Sequence, residues 1–252
     1  MALLNINYWS PSLVKETACN VLLPERHPTT GPFPVFNLLH GLSDDYSAWQ
    51  RWTSIERYTR DLPLILVMPD GHRSFYCDAT DGYAHEAAIV KDLISFIDNH
   101  FRTLKSGRGR AIGGLSMGAY GAMKLGLKYP NLFSSVSAHS GVYLHTQERW
   151  WEKDEGSWMC EARRIYGTEK AIHDNDVFDL ASKLDPKKAP AIWMDCGEDD
   201  GLLRDNQTLH AHLKKLKIKH DYHEFPGTHS WAYWDEHVQQ AIKFHCQTLG
   251  IG

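Results

Sequence analysis

The stretch Arg110-Ala111-Ile112-Gly113-Gly114-Leu115-Ser116-Met117-Gly118-Ala119-Tyr120-Gly121 constrains the fold of this chain more than any other. It contains Gly114-x-Ser116-x-Gly118, a pattern in which a serine sits on a sharp turn from a strand into a helix. Ala111-Ile112-Gly113-Gly114 reads as the end of a buried strand, and the run from Gly118 to Leu125 as a helix that opens on small residues. Such a turn forces the serine hydroxyl outward. Gly114 and Gly118 are required because a side chain at either would meet neighbouring backbone. The helix after Ser116 also brings backbone N–H groups and a positive dipole end to the place where an oxyanion would form.

The surrounding pattern predicts strands alternating with helices. Leu3–Trp9 and Thr17–Leu23 read as two opening strands, followed by Pro34–Leu39, which is apolar except for Asn37 and so central in a sheet. A helix is expected from about Ser47 to Thr59, then a strand over Leu64–Met68. The next helix has Ile89, Leu93, Phe96 and Ile97 on one face, with Lys91, Asp92 and Asp98 opposite. After the Ser116 turn and its helix come a strand at Leu132–Ser137, a strand at Ala191–Asp195 and a helix burying Leu209, Leu213 and Leu216. A strand at His220–Phe225 and a helix from about Ala232 to Leu249 close the chain. This order implies an α/β fold on a largely parallel sheet with an antiparallel start. Residues 142–175 break the pattern and are expected to form a lid-like insertion in one domain spanning residues 1–252. With 252 residues and 42% hydrophobic content, the chain can bury one sizeable core.

A serine hydroxyl needs a base, and the base an orienting carboxylate. In open α/β sheets such groups gather at the carboxyl ends of strands. His229 follows the last strand in the turn Pro226-Gly227-Thr228-His229 and is the expected base. The acid lies among Asp195, Glu198, Asp199, Asp200 and Asp205, near the end of the preceding strand. A loop position favours Asp199 or Asp200. The order Ser, acid, His is that of α/β-hydrolases. An oxyanion would take one N–H from Met117 and another from Leu42, in the His40-Gly41-Leu42 loop.

Leu39-His40-Gly41, Ser54-Ile55-Glu56-Arg57-Tyr58, Arg73-Ser74-Phe75-Tyr76, Gly114-Leu115-Ser116-Met117-Gly118, Asp195-Cys196-Gly197-Glu198-Asp199-Asp200-x-Leu202 and Gly227-x-His229-x-Trp231 together resemble the esterase D family of α/β-hydrolases. That family includes S-formylglutathione hydrolases, tributyrin-type esterases and feruloyl-esterase-like enzymes. The resemblance covers nearly the whole chain, and the Ser116 context and Arg73–Tyr76 place it nearer the tributyrin-esterase and feruloyl-esterase branch. It implies Asp200 as the acid, a small-molecule ester substrate, hydrolysis through an acyl-enzyme without metal or cofactor, and homo-oligomers. Glu148–Arg164 has no counterpart in that pattern. A thioesterase of the S-formylglutathione type is the main alternative. Less favoured are an acyltransferase of the mycolyl type and a non-catalytic binding protein on a hydrolase fold.

Seven of the nine tryptophans fall in three segments beside these loops, namely Trp49 and Trp52, then Trp150, Trp151 and Trp158, then Trp231 and Trp234. They serve as core and lid packing or as walls of an aromatic acyl or alcohol pocket. For the second role the expected walls are Trp49, Phe75, Tyr76, Tyr143, Trp150 and Trp231. Glu56 and Arg57 are expected to form a structural ion pair, and Lys214, Lys215, Lys217 and Lys219 a solvated face. A net charge of −4 argues against nucleic acid or an anionic membrane surface as a partner. The five scattered cysteines and an opening segment without a cationic or long apolar run predict a cytoplasmic setting. Fifteen histidines show no zinc-ligand spacing, so no metal site is expected.

Overall fold

The computed structural model describes residues 1–25, 30–153 and 160–251. Eight strands form one sheet: β1 (Ala2–Ser10), β2 (Lys15–Leu23), β3 (Val35–Leu39), β4 (Ile65–Pro69), β5 (Arg110–Leu115), β6 (Ser135–His139), β7 (Ala191–Gly197) and β8 (Asp221–Phe225). Their spatial order is β1-β2-β4-β3-β5-β6-β7-β8. The pairs β1/β2 and β2/β4 are antiparallel, and the rest are parallel. The antiparallel start read from the sequence is therefore present. Every residue of β3, β4, β5 and β6 is buried, as strands covered on both faces must be.

The helices are α1 (Ala48–Trp52), α2 (Ile55–Thr59), α3 (His85–Ala87), α4 (Ile94–His100), α5 (Met117–Lys128), α6 (Leu144–Glu148), α7 (Trp150–Lys153), α8 (Cys160–Ile165), α9 (Glu169–Asn175), α10 (Val177–Lys183), α11 (Leu203–Lys215) and α12 (Trp231–Leu249). A core that includes Ile112, Tyr120, Met123 and Val136 covers one face of the sheet, and one that includes Phe36, Leu66, Trp234 and Val238 covers the other. Lys214, Lys215, Lys217 and Lys219 are exposed as expected.

Three elements differ from the sequence reading, each because of a distant partner. The single helix expected over 47–59 is two, since Asp235 of α12 accepts the Ser54 N–H at 2.7 Å and the Tyr58 hydroxyl at 3.0 Å. Between α3 and α4, Ala88–Leu93 is a π-helical turn. There Asp92, expected to face solvent, accepts the Ser10 hydroxyl at 2.6 Å and the Ser12 N–H at 2.8 Å. The sixth strand begins at Ser135, not Leu132. Ser135 and Ser137 point their hydroxyls at the two ring nitrogens of the buried His245, at 2.7 and 2.9 Å, which keeps this serine-rich stretch inside the sheet. Glu56 and Arg57 do not pair with each other. Glu56 accepts from Gln50 at 2.8 Å, and Arg57 donates to Ser54 at 2.9 Å.

Candidate active site

The carboxyl ends of β3, β5, β7 and β8 deliver the site. Ser116 stands between β5 and α5 with φ 52° and ψ −115°, a backbone conformation that only a tightly packed turn imposes on a serine. The packing is visible at the two glycines. A Cβ on Gly114 would come within 2.6 Å of the Gly118 carbonyl carbon, and one on Gly118 within 2.5 Å of the Leu39 oxygen. The Ser116 N–H donates to the His139 carbonyl at 2.9 Å, anchoring the turn to β6.

His229 reaches this serine from the loop between β8 and α12. Its Nε2 lies 3.1 Å from Ser116 Oγ, and its Nδ1 lies 2.9 and 3.1 Å from Asp200 Oδ2 and Oδ1. A carboxylate at Nδ1 places the ring proton there, which leaves Nε2 as the acceptor for the serine hydroxyl. The Asp200 side chain is fully buried, whereas that of His229 is 36% exposed and open to the site. Burial alone would raise the Asp200 carboxyl, but hydrogen bonds from His229 and the Leu202 N–H hold it below the usual carboxylate range.

The five carboxylates left open by spacing separate clearly in space. Glu198 and Asp199 are exposed. Asp205 accepts the N–H groups of Tyr143 and Leu144 at 2.7 and 2.8 Å, at the start of α6. Asp195 is fully buried beneath the site, where it takes the Trp193 indole N–H at 2.8 Å and the Tyr233 hydroxyl at 3.0 Å and lies 2.8 Å from His139 Nδ1. Asp200 alone among the five hydrogen-bonds His229.

The loop after β3 is held by His40, which is 1% exposed. Its Nδ1 lies 2.8 Å from the Gly41 carbonyl oxygen, and its Nε2 accepts the Gly71 N–H at 2.8 Å. Because a trans peptide points its C=O and N–H in opposite directions, fixing the Gly41 carbonyl also fixes the Leu42 N–H. Met117 is the first residue of α5, so its N–H has no partner within the helix. Both residues line the same cavity as Ser116.

That cavity holds about 450 Å³, and its walls also include Phe75, Val142, Trp150 and Leu202. Phe75 and Trp150, two of the six expected aromatic walls, are therefore present. The other four are not, for physical reasons. Trp49 is 1% exposed and donates its indole N–H to the Leu39 carbonyl at 2.9 Å, as a core residue. Tyr76 and Tyr143 are fully buried, filling the space beside Gly71 and Gly121 and beside Gly141. Trp231 packs edge-on between Trp49 and Trp234, each centroid 5.3 Å away. Trp158 lies outside the described residues. The segment over 142–175 gives the cavity Val142 and Trp150. A second cavity of about 450 Å³ lies on the far side of the 72–76 turn, lined by Lys15, Arg73, Tyr83, His85 and Glu161. Ser74, His72 and His85 also line it, but the Ser74 hydroxyl donates to the Gly71 carbonyl at 2.5 Å and not to a histidine, so volume does not choose between the two cavities and chemistry does.

The sequence reading missed His40 as the strut of its loop; Trp234, which it placed in a tryptophan segment beside these loops, stands edge-on to His229 with centroids 4.9 Å apart. The only signal was the sequence His40-Gly41, because the partners lie far away along the chain. Among the described residues no His, Cys, Asp and Glu group suits a metal ion, and no helix is long and apolar enough to cross a membrane.

Comparison with known proteins follows the same lines. A family described simply as Esterase matches residues 10–245. An acetyl esterase of Caldicellulosiruptor saccharolyticus is 29% identical over 260 residues, covering 97% of this chain and 98% of its own. Among solved structures, FphF of Staphylococcus aureus, a fluorophosphonate-binding serine hydrolase, superposes with a TM-score of 0.88 at 27% identity, covering 97% of this chain and 98% of its own. The S-formylglutathione hydrolase FrmB of the same organism gives 0.83 at 27% identity with the same coverage. A mostly parallel sheet with flanking helices, shared over nearly its whole length with serine hydrolases, is the α/β-hydrolase fold, and this chain belongs to the Esterase family.

Proposed function

We propose that this esterase is a serine carboxylesterase for short acyl or phenolic esters, with Ser116 as nucleophile, His229 as base and Asp200 as its orienting acid. The observation that carries the reading is the continuous line from Ser116 Oγ to His229 Nε2, 3.1 Å, and from His229 Nδ1 to Asp200, 2.9 Å, inside an apolar cavity. Ser116 attacks the ester carbonyl as His229 takes its proton. The oxyanion sits between the Leu42 and Met117 N–H groups. His229 then protonates the departing alcohol, and a water repeats the sequence on the acyl-enzyme. No step calls for a metal or cofactor. Leu42, Phe75, Val142, Trp150 and Leu202 offer an acyl group little but apolar surface, and 450 Å³ suits short chains or one phenolic ring.

The likeness to an S-formylglutathione hydrolase supports a second reading, a glutathione thioesterase. A rate panel separates the two. Wild type and Ser116→Ala are compared on p-nitrophenyl acetate, butyrate and octanoate, methyl ferulate and S-formylglutathione. The expected result is turnover of the short or feruloyl esters that vanishes in the variant. A dominant rate on S-formylglutathione selects the thioesterase. Folded but inert protein on every substrate ends the esterase reading.

A further inference from the structure

The cavity beyond the 72–76 turn has no part in the mechanism above, yet four distant stretches of chain converge to build it: the β1–β2 hairpin, the 72–74 turn, residues 79–85 and α8. Leu13, His85 and Ile165 are buried in its walls, whereas Lys15, His72 and Tyr83 stand exposed at its rim. Most of its polar groups are spent on one another. Arg73 donates to both oxygens of Glu161, from Nε at 2.7 Å and from Nη2 at 3.2 Å, and Arg164 Nε lies 3.5 Å from the Asp81 carboxylate. Two groups are left over. The Lys15 ammonium has no acidic partner among the described residues. Nor does either ring nitrogen of His85 make a hydrogen bond there, although the side chain is only 9% exposed. Its ring is held by other rings, His72 tilted at 5.8 Å and Tyr83 edge-on at 6.4 Å. A polar side chain so deeply buried is ordinarily hydrogen-bonded, so this one offers its nitrogens to whatever fills the cavity. Burial, with His72 and Lys15 nearby, pushes the imidazole down to about 4, and at pH 7 it is neutral with one N–H to donate.

We propose that this cavity binds a small organic monocarboxylate, whose charged end takes the Lys15 ammonium and the His85 N–H while its ring-sized apolar body lies against Leu13, Ala79, Ile165 and Tyr83. One uncompensated cation calls for one negative charge. A volume of about 450 Å³ with apolar side chains in its walls calls for more than a bare ion. Tyr83 fits the same reading: at 61% exposure it is among the few large apolar side chains that the fold leaves uncovered, and its ring stands beside the unpartnered His85. The inference goes beyond the esterase reading and does not rest on it, because Ser116 and His229 line the other cavity.

The test follows the ring signals of isotope-labelled histidine by NMR as benzoate is added to the whole protein at pH 7. The His85 signal is the one missing from His85→Phe, or from His85→Gln should the first variant not fold. The expected result is a saturable shift of that signal below about 10 mM benzoate. Benzamide, the uncharged counterpart, should bind about tenfold weaker, since it loses the charge-assisted contacts. Acetate carries the charge without the ring and should also bind more weakly than benzoate, and Tyr83→Ala should narrow that difference. Lys15→Glu turns an exposed ion pair into a like-charge contact, each worth up to about fivefold, so benzoate should bind about tenfold weaker. The rate of that variant on p-nitrophenyl acetate should be unchanged. A His85 signal that stays still, that moves equally with benzamide, or that keeps its benzoate affinity in Lys15→Glu overturns the proposal. Benzoate that binds no better than acetate reduces the site to a bare anion contact and overturns it as well. Absence of hydrolysis at Ser116 leaves these shifts untouched, so the two readings fail separately.

Discussion

In the proposed mechanism His40 directs an oxyanion hydrogen bond without touching substrate. It grips the Gly41 carbonyl with one ring nitrogen and the Gly71 N–H with the other, and the peptide plane carries that constraint to the Leu42 N–H. Substituting His40→Leu frees the peptide to rotate. The expected loss in kcat on p-nitrophenyl acetate is about a hundredfold, near the cost of removing one oxyanion donor. His40→Asn, whose amide can replace Nδ1 at Gly41 but not Nε2 at Gly71, should recover part of it. Equal kcat in wild type and a folded His40→Leu would show that another group fixes the loop. At this scale the sequence made Ser116 and His229 legible because a turn demands glycines at fixed offsets and a base must follow the last strand. It could not separate Asp199 from Asp200. That distinction is one of burial, with Asp199 exposed and the Asp200 side chain wholly covered. The acid was placed by family resemblance. The aromatic walls failed for a related reason: an indole or phenol fills core space as readily as it lines a cavity, and Trp49, Tyr76 and Tyr143 do the former.

Elements were legible in kind and order wherever apolar residues repeat, and wrong where one long-range polar contact overrides local preference. Asp235 breaks the expected 47–59 helix into α1 and α2 from nearly the opposite end of the chain, and His245 draws Ser135 and Ser137 into β6. The crossing of α5 over β3 shows how little slack the elements have where they carry Ser116, the proposed nucleophile. A Cβ on Gly118 would sit 2.5 Å from the Leu39 oxygen and 2.6 Å from the His40 oxygen, and no side chain there can yield. Gly118→Ala is therefore expected to lose about 3 kcal/mol or more in urea denaturation, at the upper end for overpacking, together with activity. Gly201 lies near the same cavity, but a Cβ there would meet nothing within 4 Å. Gly201→Ala should unfold at the wild-type urea midpoint. Similar midpoints for the two variants would mean that α5 can shift away from β3.

Across the whole molecule, the most consequential contact outside the site is one that no motif announces. The Lys124 ammonium, fully buried on α5, donates to Glu86 at 2.6 Å, to the Tyr76 carbonyl at 2.6 Å and to Asn175 at 3.1 Å. It thereby joins α5, α3, the 72–76 turn that supplies Phe75 to the cavity, and α9. Glu86 also receives Lys128 at 2.8 Å and the Tyr129 hydroxyl at 2.6 Å. In sequence Lys124 is one polar residue in an apolar helix and Glu86 lies 38 residues away, so only the folded sheet brings them together. Burial would raise the Glu86 carboxyl, but Lys124 and its other donors hold it down from 4.5 to about 2. A carboxyl lowered by folding stabilises the native state above its unfolded value, and that stability is lost as pH falls from about 4.5 toward 2. Replacing it in Glu86→Gln leaves the Lys124 charge buried without its partner, at a cost of about 3 kcal/mol at pH 7. Because Glu86 of the unfolded wild-type chain takes up its proton below about 4.5 while the folded one keeps its charge, the gap between the two proteins should shrink by about 1.4 kcal/mol by about pH 3.5. Urea denaturation at pH 7 and pH 3.5 measures both quantities. A gap that stays constant between them would mean that Glu86 supports the fold by shape and hydrogen bonding, with no part played by its charge.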